Sequence, residues 1–174
     1  MRLFVALEPS TAAREMLFDW TLEVAGDDPA LRPVAPDALH VTLAYLGERA
    51  SPDAAVAAVE ALEPAGLDAV RTAGVLWRER VLSLAIAHQP ALTALHDALC
   101  DGLDVAPEHR PFHPHVTLAR LRGRRRPASR DLPVAPAIDL DSPGVVLLRS
   151  HLGGPGGRPV RYEELARTPA VRRW

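Results

Sequence analysis

Two histidines each open the same pentapeptide: His40-Val41-Thr42-Leu43-Ala44 and, 75 residues later, His115-Val116-Thr117-Leu118-Ala119. Each copy reads as a short strand. Side chains alternate along an extended chain, so histidine and threonine project to one face while valine and leucine project to the other. Each copy therefore offers an imidazole beside a hydroxyl. Were the copies to face one another across a groove, two imidazoles and two hydroxyls would converge on one small space. That is equipment for moving protons around a phosphate. One histidine can act as general base and the other as general acid, with an unperturbed pKa of about 6.5, while Thr42 and Thr117 hold anionic oxygens. A lone His-x-Thr on a strand is most simply a histidine satisfying a hydrogen bond. Its repetition in two strand-like settings favours chemistry.

The flanks differ. The first copy continues to Tyr45 and the second to Arg120, each five residues beyond its histidine. A nucleotide would use both, a ring to stack on a base and a fixed cation for a phosphate. Strict alternation puts that offset on the face opposite the histidine, so both reach the groove only if the strand has ended, twisted or bulged. Otherwise Tyr45 is a core or rim aromatic and Arg120 a solvated charge. Arg120, Arg122, Arg124, Arg125, Arg126 and Arg130 form a basic cluster, a solvated loop unless it meets an RNA backbone. With only eight aromatic residues in the chain, recognition of a terminus is expected rather than of a tract. His113, with His109 and Glu108, raises a metal site, which Pro111 and Pro114 argue against by disturbing the local geometry. His88, His96 and His151 are most simply surface residues.

Composition narrows the alternatives. All twenty basic residues are arginine, which removes Schiff-base and lysine-nucleophile chemistry. Cys100 is the only cysteine, so neither an internal disulfide nor a thiolate metal cluster can form, and a reducing cytoplasm fits. Within an apolar helix-like stretch it is expected to be a small core residue. The net charge of −2 names no partner. The apolar opening, cut by Glu8 and Pro9, is too brief for a signal peptide, and no run approaches the ~20 apolar residues that span a bilayer. No Gly-x-Ser-x-Gly supports a serine hydrolase.

The elements that must position the motifs follow from caps, prolines and alternation. Residues 2 to 8 read as a strand, Ser10 caps a helix to about Val24, and a loop leads to the first motif. Ser51 to Leu62 reads as a second helix, and residues 68 to 76 and 81 to 87 as a hairpin turning at Trp77 to Arg80. Pro90 opens a third helix to about Leu103. Residues 144 to 152 and 158 to 165 are further strands, and the glycine run between them is a hairpin turn, since neither the lysine nor the helix of a phosphate loop follows. Without a regular crossover period, the pattern predicts an α+β fold with largely antiparallel sheets. The duplicated pentapeptide suggests two pseudo-symmetric lobes in one domain over residues 1–174, each donating a histidine strand.

The opening Met1-Arg2-Leu3-Phe4-Val5-Ala6-Leu7, the segments 39–47 and 112–120 around the two motifs, and Leu148-Arg149-Ser150 with Tyr162 resemble the 2H phosphoesterase superfamily. Within it they resemble the RNA 2′,3′-cyclic phosphodiesterases, also described as 2′-5′ RNA ligases of the ThpR/LigT type. The resemblance implies a bilobal α+β fold with a central cleft and helices flanking the sheets, without metal or other cofactor. It implies hydrolysis of a 2′,3′-cyclic phosphate at an RNA or nucleotide end to a 2′-phosphomonoester. In that scheme His40 is the proton donor and His115 the proton acceptor, Thr42 and Thr117 bind non-bridging oxygens, Arg120 contacts phosphate, and Tyr45 takes a place usually held by phenylalanine. Run backwards, the same pair joins a cyclic phosphate to a 5′ hydroxyl. A monomer with no obligatory protein partner and no membrane association is expected. The rivals are another cyclic phosphate or a 2′-5′ oligonucleotide at the same site, a non-catalytic RNA-end-binding module, and a metal-dependent hydrolase.

Overall fold

In chain order the elements are β1 (Arg2–Glu8), α1 (Thr11–Ala25), β2 (Leu31–Pro33), β3 (Val41–Gly47), α2 (Pro52–Glu60), β4 (Thr72–Arg78), β5 (Val81–Ile86), α3 (Pro90–Gly102), β6 (His115–Leu121), β7 (Gly144–His151) and β8 (Arg161–Arg167). They come from a computed structural model that describes residues 2–26, 28–48, 51–63, 67, 70–78, 80–105, 111–123, 132–140, 144–151 and 160–168. The fold is α+β. All the strands pair antiparallel in one sheet, in the order β4-β5-β6-β3-β1-β7-β8, with β2 alongside β6.

One face of the sheet carries Val5, Leu7, Val41, Leu43, Leu82, Leu84, Val116, Leu118, Val145 and Leu147, and all three helices pack their apolar stripes on it. Helix α1 starts where Ser10 Oγ accepts the Ala13 N–H at 3.2 Å, and it buries Leu17, Trp20 and Thr21. Helix α2 opens on Pro52, whose missing N–H costs nothing in the first turn, and buries Ala55 and Val59. Helix α3 buries Leu92 and Leu99 and packs on β3. The other face has no helix among the described residues. It holds a second apolar cluster of Phe4, Ala6 and Val146, with Leu148 and Tyr162 packed against it, which is why β1 is apolar on both sides.

Two half-sheets meet at a single place. Strands β3 and β6 pair only at Val41 opposite Val116, both fully buried. These are equivalent letters of the repeated pentapeptide, so their antiparallel pairing puts a local two-fold axis between them. Beyond that point the halves diverge: β3 follows β1, while the same edge of β6 takes β2 as partner from Ala119 to Leu121.

Several boundaries differ from those expected. The first hairpin strand runs from Thr72 to Arg78, so Trp77 and Arg78 belong to the ladder, opposite Leu82 and Val81. The last strand runs to Arg167 instead of Leu165. The expected loop before the first motif contains β2, a three-residue edge strand. The glycine run 153–157 lies outside the described residues.

Candidate active site

The two pentapeptides adopt the same local structure. Within β3 and its partner β1, Ala6 faces Thr42 and Val5 faces Ala44, so Leu43 is an extra residue, a β-bulge. Within β6 and its partner β5, Ser83 faces Thr117 and Leu82 faces Ala119, so Leu118 is the extra residue. A bulge shifts the phase of alternation by one. Tyr45 consequently lies opposite Phe4, on the face of Thr42, and Arg120 lies opposite Val81, on the face of Thr117. Both join the helix-free face despite their odd spacing from the histidines. Beneath the threonines the opposing residues are small, Ala6 and Ser83, both buried.

Each imidazole is anchored in the same way. His40 Nδ1 donates to Ala38 O and His115 Nδ1 donates to His113 O, each at 2.8 Å, two residues back along the chain. A carbonyl can only accept, so Nδ1 carries the hydrogen and Nε2 of each neutral ring is left with a lone pair directed away from its own backbone.

Their surroundings differ. His40 sits in an aromatic enclosure, its centroid 5.0 Å from Phe4 and 5.2 Å from Tyr162, the latter edge to face. Burial removes water from the imidazolium and lowers the His40 pKa to about 4, against the opposing pull of the Ala38 carbonyl; the charges of Arg120 and His115 lower it further. Burial likewise pushes the Tyr162 phenol up, with Arg120 acting in the opposite sense. Arg120 and His115 stand on one half-sheet, His40 and Tyr162 on the other. The charges of the second half-sheet are thus felt by His40 and Tyr162 on the first. Among the described residues no ring packs on His115.

A model of the 2′-5′ RNA ligase superfamily matches residues 8–138, a span that contains both motifs. The chain belongs to that superfamily. As a 2′-5′ RNA ligase superfamily member it is 35% identical to the RNA 2′,3′-cyclic phosphodiesterase of Escherichia coli (strain K12), over 68% of this chain and 71% of that one. It is 27% identical to an RNA 2′,3′-cyclic phosphodiesterase of Geobacillus stearothermophilus, over 97% of this chain but only 57% of that relative's length. Among solved structures, E. coli LigT complexed with 3′-AMP superposes with a TM-score of 0.75 at 28% identity, covering 99% of this chain and 98% of that one. TT0787 of Thermus thermophilus gives 0.73 at 26% identity, covering 96% of each.

In this superfamily member His40, Thr42, Tyr45, His115, Thr117 and Arg120 share the helix-free face of the sheet. Tyr45 is 46% exposed there. Phe4 and Tyr162, which enclose His40, figure in the sequence only as marks of resemblance. Their signal is position: Phe4 alternates with core residues in β1, and Tyr162 is the second residue of β8. His113 is exposed; Glu108 and His109, its suggested companions, lie outside the described residues, as do Arg124, Arg125, Arg126 and Arg130. His88 and His151 are exposed as expected. His96 is not a surface residue: it is half-buried, bonded through Nδ1 to Leu43 O at 2.6 Å and stacked on Phe112 with centroids 4.1 Å apart. Cys100, also half-buried, packs against the core as expected. No helix among the described residues is long and apolar enough to cross a membrane.

Proposed function

We propose that this chain hydrolyses RNA 2′,3′-cyclic phosphate ends to 2′-phosphomonoesters by two-histidine acid–base catalysis, without a metal or other cofactor. The observation that carries it is the dyad at Val41–Val116, with an imidazole anchored through Nδ1 on either side of it and Arg120 acting on His40 across the gap. The names of its relatives supply the substrate class.

A cyclic phosphate lying over the axis meets Nε2 of both rings. His115 accepts a proton from the attacking water as oxygen bonds to phosphorus. His40, in its protonated form, donates to the departing 3′ oxygen as that P–O bond breaks. Thr42 and Thr117 bind the non-bridging oxygens, Arg120 offsets their charge, and Tyr45 at the rim stacks on the base. The anionic substrate reverses the field that Arg120 and His115 impose on His40, raising its proton affinity when a proton is needed. With a 5′ hydroxyl in place of the attacking water, the same pair gives 2′-5′ ligation: the hydroxyl loses its proton as its oxygen bonds to phosphorus, and the departing 3′ oxygen takes one up as its P–O bond breaks. One domain over residues 1–174, acting as a monomer in the cytoplasm, suffices; the single cysteine suits a reducing compartment.

One observation favours a second reading of the roles. A histidine whose pKa is lowered to about 4 is neutral in the resting protein at pH 7, as a base should be, which would make His40 the acceptor and His115 the donor.

The test is incubation with a 2′,3′-cyclic mononucleotide in excess EDTA, with the product read by 31P NMR. Turnover to the 2′-phosphate is expected. Binding without turnover between pH 5 and 8 would instead make this an RNA-end-binding module, and loss of turnover on chelation a metal-dependent hydrolase.

A further inference from the structure

The bulge that brings Tyr45 to the cleft face has a cost. A bulged residue is displaced from its ladder, and its polar backbone groups need other partners. The two copies meet this need differently. In the second, Leu118 O accepts the Val34 backbone N–H at 2.8 Å. In the first, the equivalent Leu43 O accepts from a side chain, His96 Nδ1, at 2.6 Å.

His96 reaches this carbonyl because α3 carries it on the same stripe as Leu92 and Leu99, facing β3. Its ring lies within 4° of parallel to Phe112, three residues before His115. Cys100, one turn further along α3, puts its Sγ 3.7 Å from the same Nδ1. The segment from Phe112 also supplies the anchor of the second imidazole, His113 O, and the Pro114 carbonyl that accepts the Ile86 N–H at 3.0 Å. One imidazole thus touches the bulge of the first motif through a hydrogen bond and the approach to the second through a stacked ring.

We infer that His96 is a positioning residue that ties the two histidine strands to each other, fixing the separation of His40 and His115 around the phosphorus. This rests on the proposed use of those two imidazoles. Both act in one transition state, whereas each phosphate or base contact belongs to a single half-sheet. Loosening the tie therefore lowers kcat and leaves KM nearly unchanged.

Asparagine places its amide nitrogen where Nδ1 stood, glutamine where Nε2 stood, and leucine offers neither. On cytidine 2′,3′-cyclic phosphate we expect His96→Asn, which keeps the bond to Leu43 O but gives up the ring on Phe112, to lose about 3- to 10-fold in kcat, and His96→Gln and His96→Leu to lose about 10- to 100-fold at similar KM. Equal kcat in all four proteins overturns the inference, as does a loss that follows Tm with Asn no better than Leu. Should His96→Leu fail to fold, the Asn and Gln pair carries the comparison. Should the wild type not turn over the nucleotide, the proposed function falls by itself. The tie is then read from amide NMR: shifts of both Tyr45 and His115 in His96→Gln sustain it, and shifts confined to Leu43 and its neighbours overturn it.

Discussion

The two pentapeptides share a strand, a bulge at the leucine and an Nδ1 bond to the carbonyl two residues back, yet only one of their imidazoles is enclosed. His40 is packed between Phe4 and Tyr162, and His115 is not packed against any ring among the described residues. Identical local sequence thus fixes where each Nε2 points, while residues far away in the chain decide how readily the His40 ring holds a proton. The difference in packing between two copies of one motif arises here from neighbours and not from the motif.

The largest effect expected separates the two roles. His40→Ala and His115→Ala should each lower kcat/KM on a cyclic mononucleotide by about 10²- to 10⁴-fold, and the double variant should be little worse than either, since the pair acts as a unit. A diester that releases p-nitrophenolate needs no acid. On that substrate His40→Ala should recover most of its rate and His115→Ala should not; the opposite pattern assigns the roles the other way round, and equal losses end the division altogether.

A smaller effect concerns the charge by which one half-sheet acts on the other. Arg120→Met should cost about 10- to 100-fold in kcat/KM, the worth of a hydrogen bond to a charged group. It should also raise the His40 pKa, because Arg120 is one of the groups that lower it. An NMR titration of the His40 ring that does not move would separate Arg120 from the site.

A third effect leaves the chemistry aside and falls on folding alone. With a folded pKa of about 4 against 6.5 unfolded, His40 takes up its proton less readily in the native protein, so the unfolded chain binds more protons between those values. Stability should then fall as pH drops from about 6.5 to about 4, by at most ~3 kcal/mol from this residue. Thermal melts of His40→Phe should lack that component; equal pH dependence in both proteins would mean that His40 is not held neutral.

Strands and helices were legible in the sequence wherever alternation, caps and prolines marked them: β1, α1, α3 and β7 lie within a residue or two of their expected bounds. The bulges were not, because a bulge is a property of a strand and its partner, and no pattern within His40–Ala44 announces which residue the ladder will skip. That is why Tyr45 and Arg120 could be placed only conditionally. Strand β2 escaped because three residues ending in Pro33 carry no period. His96 could have been found: Leu92, His96 and Leu99 repeat at four and three residues, the spacing of a buried stripe, and a polar residue on that stripe requires a partner. The enclosure of His40 could not, since Phe4 and Tyr162 meet only after the sheet has assembled around β1.

The joint at Val41 and Val116 acts as a fulcrum. A displacement there that respects the two-fold and pushes the strands apart moves the imidazoles in opposite directions, so the gap between them changes by twice the outward travel of either. A methyl group added at that point is a wedge with leverage on both imidazoles, although the two valines are wholly buried.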